Sequence, residues 1–164
     1  MHQQQPLGNI ALAQQGVELC RREKWERGMG ALMTVADRKQ DHDILPGLYY
    51  SYLGYCLARF EKRLDEGLEL CRHGVKIQLH EVENLYNLAR TCMLAGDRQG
   101  AVKALEEGLF LNPDFGPLIH LRKEMGLRRD PVLRILSRSN PLNQILGRIR
   151  SSWAKQRLSR EIKK

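Results

Sequence analysis

The sequence predicts an all-α fold built from repeated helix pairs, and three observations carry that expectation. Of the 164 residues, 42% are apolar but only 6% aromatic, and Val, Ile and Thr are sparse beside Leu, Ala, Arg, Glu and Gln. Straight-chain residues lose little rotamer freedom in a helix, whereas β-branched ones lose more. A pattern of small and large residues returns after about 34 positions. Turn-forming pairs, Gly96-Asp97 and Asn112-Pro113, fall where that pattern breaks.

The best-defined copy places Leu85-x2-Leu88-Ala89-x2-Cys92 on a first helix. Ala101, Leu105, Gly108 and Leu109 follow on a second helix, expected from about Gln99 to Leu111. Upstream, Tyr50-x2-Leu53-Gly54-x2-Leu57 and then Gly67, Cys71, Gly74 and Val75 repeat the pattern. The offset is 34 on the second helix but 35 on the first, which assigns one extra residue to the turn after Leu57. An N-terminal copy runs through Leu12-x2-Gln15-Gly16-x2-Leu19, then Gly28, Leu32 and Val35, with Gln15 in place of a large apolar residue. The charged run from Arg38 to Asp43 reads as a longer loop after it. Small residues at Gly16, Gly54 and Ala89, and at Gly28, Gly67 and Ala101, let facing backbones approach while neighbouring large residues fill the space. Each pair leaves an apolar face for the next to cover. Interior glycines cost about 1 kcal/mol each relative to Ala, so the array is expected to be moderately stable.

This signature resembles that of the tetratricopeptide repeat (TPR) family, in the form of a small bacterial-type protein with three repeats, over about residues 10–115. The resemblance implies antiparallel helix pairs stacked in a right-handed superhelix. A flexible N-terminus (1–9) precedes a first repeat (10–38), a loop (39–46), a second repeat (47–81) and a third (82–115). A capping helix (116–128) is expected from Leu118 to Met125, between Phe115-Gly116-Pro117 and Gly126, and a basic amphipathic extension (129–164) ends the chain.

The same resemblance implies a non-catalytic scaffold or adaptor that takes a peptide or protein segment in a concave groove lined by the first helices. By register the groove holds Gln14, Val17 and Arg21, then Ser51, Tyr52, Tyr55 and Arg59, then Glu83, Tyr86, Asn87, Arg90 and Met93. Tyrosine rings give contact area cheaply and arginine binds carboxylates or carbonyls, which suits an extended peptide. Inter-repeat packing is the competing reading for any one tyrosine, and the stronger one for Tyr49 and Tyr50. The Lys and Asn positions of the chaperone-type carboxylate clamp hold Ala13 and Val17, so an acidic chaperone tail is not the expected ligand. A secretion-type TPR chaperone is the alternative that the chain length suggests.

Charge separates the body from the tail. Residues 1–115 carry 14 Lys/Arg against 16 Asp/Glu, a net of −2, and residues 116–164 carry 13 against 3, a net of +10. In the tail, Asp130-Pro131 and Asn140-Pro141 are helix starts, and Leu142, Ile145, Leu146, Ile149 and Trp153 form one apolar stripe. Arg148, Arg150, Lys155 and Arg157 flank that stripe. Three readings stay open: a helix docked on the repeats with a solvated charged face, a surface for an acidic protein, or contact with anionic membrane or nucleic acid. A single tail Trp argues against a base-stacking platform.

Other chemistries lack their residues. No run approaches the roughly 18 apolar residues of a membrane span, and the Gln-rich start lacks the order of a secretory signal, so a cytoplasmic location is expected. Cys20, Cys56, Cys71 and Cys92 form no C-x-x-C pair and read as buried, reduced thiols. No phosphate-binding loop, dinucleotide fingerprint or H-E-x-x-H occurs, and Asp41-His42-Asp43 reads as a solvated loop rather than a metal site. No cofactor, metal or enzymatic activity is expected.

Overall fold

Seven α-helices and no strand are found among the described residues, which are 8–38, 44–127 and 145 of the computed structural model. The chain divides into two units between Glu124 and Met125, and all seven helices belong to the first. Of the tail stripe only Ile145 is described, and it is exposed. Leu142, Leu146, Ile149 and Trp153, the basic residues Arg148, Arg150, Lys155 and Arg157, and the Asp41-His42-Asp43 segment lie outside the described residues.

The helices are α1 (Asn9–Arg21), α2 (Trp25–Arg38), α3 (Gly47–Cys56), α4 (Leu64–Ile77), α5 (Val82–Leu94), α6 (Arg98–Leu111) and α7 (Gly116–Glu124). They pack as α1 with α2, α3 with α4 and α5 with α6, and neighbouring pairs join through α1–α3, α3–α5 and α4–α5. The α7 helix lies against α6 with Leu118 and Leu121 buried. Asp97 caps α6 by accepting from the Gly100 amide at 2.8 Å, which satisfies a donor that the helix start leaves unpaired.

Small residues set how closely the pairs close. A methyl placed on Gly54 would come 2.5 Å from the Gly67 carbonyl oxygen, and one on Gly74 would come 2.5 Å from that of Gly47. Thus α3 and α4 touch backbone to backbone at two crossings, Gly54 with Gly67 and Gly47 with Gly74. Leu32, Val35, Leu45, Tyr49, Leu53 and Leu57 fill the space between the first two pairs. Tyr49 and Tyr50 are buried, ring to ring at 4.9 Å, and Tyr50 meets the His73 ring at 4.5 Å, so both tyrosines are packing residues.

The extra residue of the second copy lies inside a helix, not in the turn. Seven positions separate Gly16 from Glu23 and Ala89 from Gly96, but eight separate Gly54 from Lys62. The additional residue is absorbed by a π-helical segment, Leu57–Glu61, that continues α3. Absorbing it there keeps the turn and the α3–α4 contact unchanged, and it rotates the side chains that follow, Arg59 and Phe60 among them.

Each first helix ends on one left-handed residue: Glu23 (φ 59°), Lys62 (φ 60°) and Gly96 (φ 76°). Only the third copy places glycine there, and a Cβ in this conformation is strained. Lys62→Gly is therefore expected to raise stability by about 0.5–1 kcal/mol, as a higher urea midpoint with an unchanged slope. A lower midpoint would show that the Lys62 side chain, which donates to the Arg59 carbonyl at 3.3 Å, contributes more than the strain costs.

Candidate functional site

The site is built outward from α5. Asn84, Asn87 and Thr91 lie on one face of that helix, and with Ser51 of α3 they are completely buried. Buried polar groups persist only when satisfied, and these are. The Asn87 amide donates to Ser51 Oγ at 3.2 Å, the Ser51 hydroxyl donates to Asn84 Oδ1 at 2.7 Å, and the Asn84 amide donates to the Gly74 carbonyl at 3.1 Å. Thr91 donates to the Asn87 carbonyl at 2.9 Å. The chain of bonds joins α3, α4 and α5, and its free end is Asn87 Oδ1, which accepts from Arg90 Nη2.

That bond holds Arg90 over aromatic rings. Its guanidinium carbon is 3.6 Å from the Tyr55 ring centroid, 4.2 Å from Tyr86 and 5.6 Å from Trp25. A second arginine shares two of those rings: Arg59 lies 5.3 Å from Phe60, 5.7 Å from Trp25 and 5.8 Å from Tyr55. Arg59 Nη1 also donates to the Tyr55 hydroxyl at 2.6 Å. Trp25 meets Tyr55 edge-on at 5.5 Å. Such contacts are worth about 0.5–2 kcal/mol each, the more so when desolvated.

A cleft of about 330 Å³ opens beside this cluster and is lined by Arg21, Trp25, Tyr52, Glu83, Tyr86, Arg90 and Phe115 among others. At its α1 edge Glu83 accepts from Arg21 at Nε (3.0 Å) and Nη2 (2.7 Å), and from the Tyr52 hydroxyl at 3.5 Å. The Glu83 bonds raise the Arg21 pKa, and burial together with Glu83 raises that of Tyr52. Arg21 is thus neutralised within the chain.

The groove residues expected from register are distributed unevenly. Arg21, Tyr52, Tyr86 and Arg90 line the cleft, whereas Gln14 and Met93 are exposed outside its lining. Asn87 and Ser51 are buried in the network, so they orient Arg90 rather than face solvent. Val17 is buried as well, and Tyr55 is 4% exposed beneath the arginines. Three aromatic residues absent from that expectation complete the site: Trp25 at the start of α2, Phe60 in the π segment and Phe115 before α7. Trp25 and Phe115 lie outside the first helices, and Phe60 follows Arg59 on the π segment that continues α3. A tryptophan directly after the basic turn from Arg21 to Lys24 was the available signal for Trp25.

Burial also predicts an alkaline weakness. The Tyr49 hydroxyl is pushed from 10.0 up to about 12 by burial, then by Tyr50 and Asp37, and burial pushes the Cys71 thiol from 9.0 up to about 12. The unfolded chain releases these protons at its lower pKa values while the folded chain keeps them. Stability is therefore fully present below about pH 9 and falls as pH rises from there toward 12. In a joint titration of absorbance at 295 nm and far-UV CD, the last tyrosines should ionise together with loss of helix. Ionisation of all five tyrosines near pH 10 with the helical signal intact would contradict this burial.

Among the described residues no group of three His, Cys, Asp or Glu side chains could hold a metal, and no helix is long and apolar enough to cross a membrane. Stacked helix pairs with a covering α7 make this a TPR-type helical-repeat fold. Among solved structures the chain is similar to YrrB, described as a TPR protein with an unusual peptide-binding site, with a TM-score of 0.54 and 20% identity. The similarity covers 71% of this chain and 58% of that one, so the chain spans little more than half of its neighbour's length. No family model and no curated protein sequence matches the chain.

Proposed function

We propose that the chain is a non-catalytic interaction scaffold or adaptor that binds a protein or peptide segment in the cleft across α1, α3 and α5. The observation that carries this reading is the aromatic shelf of Trp25, Tyr55 and Tyr86 bearing two arginines, Arg59 and Arg90. Rigid rings and guanidinium groups are the side chains on which binding energy concentrates in protein interfaces. The fold supports it too, since YrrB, which shares it, is described as having a peptide-binding site.

The test is capture of a partner from the native proteome by wild type, by Arg59→Glu and by Arg59→Glu/Arg90→Glu, each checked by far-UV CD. Loss of one charged hydrogen bond in an interface costs about 1.5–3 kcal/mol, a drop in affinity of roughly 10- to 150-fold. The reversals are expected to abolish capture with helicity intact. Undiminished capture by a folded double variant would remove the cleft from the reading.

A further inference from the structure

We infer that the cleft is polarised: its Arg90 end, with Arg59 on the same rings beside the lining, takes a carboxylate of the bound segment, while its Arg21 end does not. This rests on the groove reading above and deepens it. Three arginines reach the site, and their partners differ in kind. Arg21 holds the Glu83 carboxylate through two nitrogens and is spent. Arg90 bonds the neutral amide oxygen of Asn87, and Arg59 bonds the neutral hydroxyl of Tyr55. Among the described residues, no carboxylate lies within ion-pair distance of either.

The two guanidinium groups share the Tyr55 ring, at 3.6 and 5.8 Å, and the Trp25 ring, at 5.6 and 5.7 Å. Ring faces attract the flat side of a guanidinium and leave its N–H edge, the part that matches a carboxylate, for other partners. Two like charges held over common rings repel, and an anion that meets both relieves that repulsion. Arg90 Nε is buried and has no hydrogen-bond partner, so the guanidinium has donor capacity that the chain does not use. Burying a donor of a charged group without a partner costs free energy.

The subsite also depends on features particular to this chain. Trp25 opens a second helix, and Arg59 and Phe60 stand on the π segment that absorbs the extra residue. A regular α3 would carry Arg59 to a different azimuth.

A peptide carboxylate has two sources, an internal Asp or Glu side chain or a free C-terminus, and the experiment separates them. The full chain is immobilised and offered degenerate decapeptide pools, and the retained peptides are sequenced. One pool is N-acetylated and C-amidated with all residues allowed; a second lacks Asp and Glu but has a free C-terminus; a third lacks Asp and Glu and is C-amidated. The expected result is retention from the first or second pool at least tenfold above the third, with the enriched residue at a fixed position. Arg59→Gln and Arg90→Gln should reduce that preference to about unity, and Arg59→Lys should restore part of it. Lys103→Gln, an exposed charge change on α6, should leave it intact.

Equal retention from all three pools, still dependent on Trp25 and Tyr86, would overturn the carboxylate assignment and leave the groove reading standing. A preference that survives in folded Arg59→Gln and Arg90→Gln would also overturn it. Retention from none of the pools would take away the groove reading itself.

Discussion

Gly54→Ala and Gly67→Ala are each expected to lower the unfolding free energy by about 1–3 kcal/mol, although alanine is the better helix former. The reason is what each methyl meets. At Gly54 the nearest atoms are the Gly67 carbonyl oxygen at 2.5 Å and the Cys71 amide nitrogen at 3.0 Å, and at Gly67 the nearest is the Gly54 carbonyl oxygen at 2.6 Å. These are backbone atoms of helices pinned by a second crossing at Gly47 and Gly74, so no side chain can swing aside. Gly30→Ala is the matched comparison, because a methyl there has nothing within 4 Å, and α2 should gain about 0.5–1 kcal/mol from the same change. Urea unfolding of the three variants would decide it. A gain at Gly54 or Gly67 similar to that at Gly30 would mean that α3 and α4 separate easily, and that glycine there is incidental.

Asn84→Leu should be of similar or larger effect, about 2–4 kcal/mol, although leucine has the same branching and number of side-chain heavy atoms and a higher helix propensity. Leucine would strand the Ser51 hydroxyl, now 2.7 Å from Asn84 Oδ1, and the Gly74 carbonyl, now 3.1 Å from Asn84 Nδ2. Removing one member of a buried, satisfied network exposes the desolvation cost of the rest. The effect should also reach the cleft, because Ser51 positions Asn87 and Asn87 positions Arg90. Ser51→Ala/Asn84→Leu, which removes both partners, is expected to recover part of the loss. Additive losses in that double variant would show that the two side chains are not coupled.

The glycine variants and the Asn84 variant act on different layers of one design. Glycine contacts bring α3 and α4 together within a pair, and the Asn84–Ser51–Asn87 chain ties that pair to α5. The cleft depends on the second, since its arginine is aimed by the last acceptor in that chain.

Much of this architecture is legible without coordinates. The 34-residue spacing, the small residues at Gly54, Gly67, Ala89 and Ala101, and the Gly96-Asp97 turn are local signals, and helices obey them because close contact and a left-handed turn each demand a particular residue type. Tyr49 and Tyr50 could be assigned to packing for the same reason. The sequence also separates a near-neutral body from a tail of net +10. Which residues face the cleft was a tertiary matter. Register alone put Asn87 and Ser51 at the surface, but neighbouring helices bury both and turn their polarity inward. One surplus residue became a π segment that carries Arg59, whose guanidinium lies over the Trp25 ring, and the Arg21–Glu83 pair formed between residues 62 positions apart. Periodicity specifies the face of a single helix. Charge pairing and ring stacking depend on distances between helices, and those exist only once the pairs have closed.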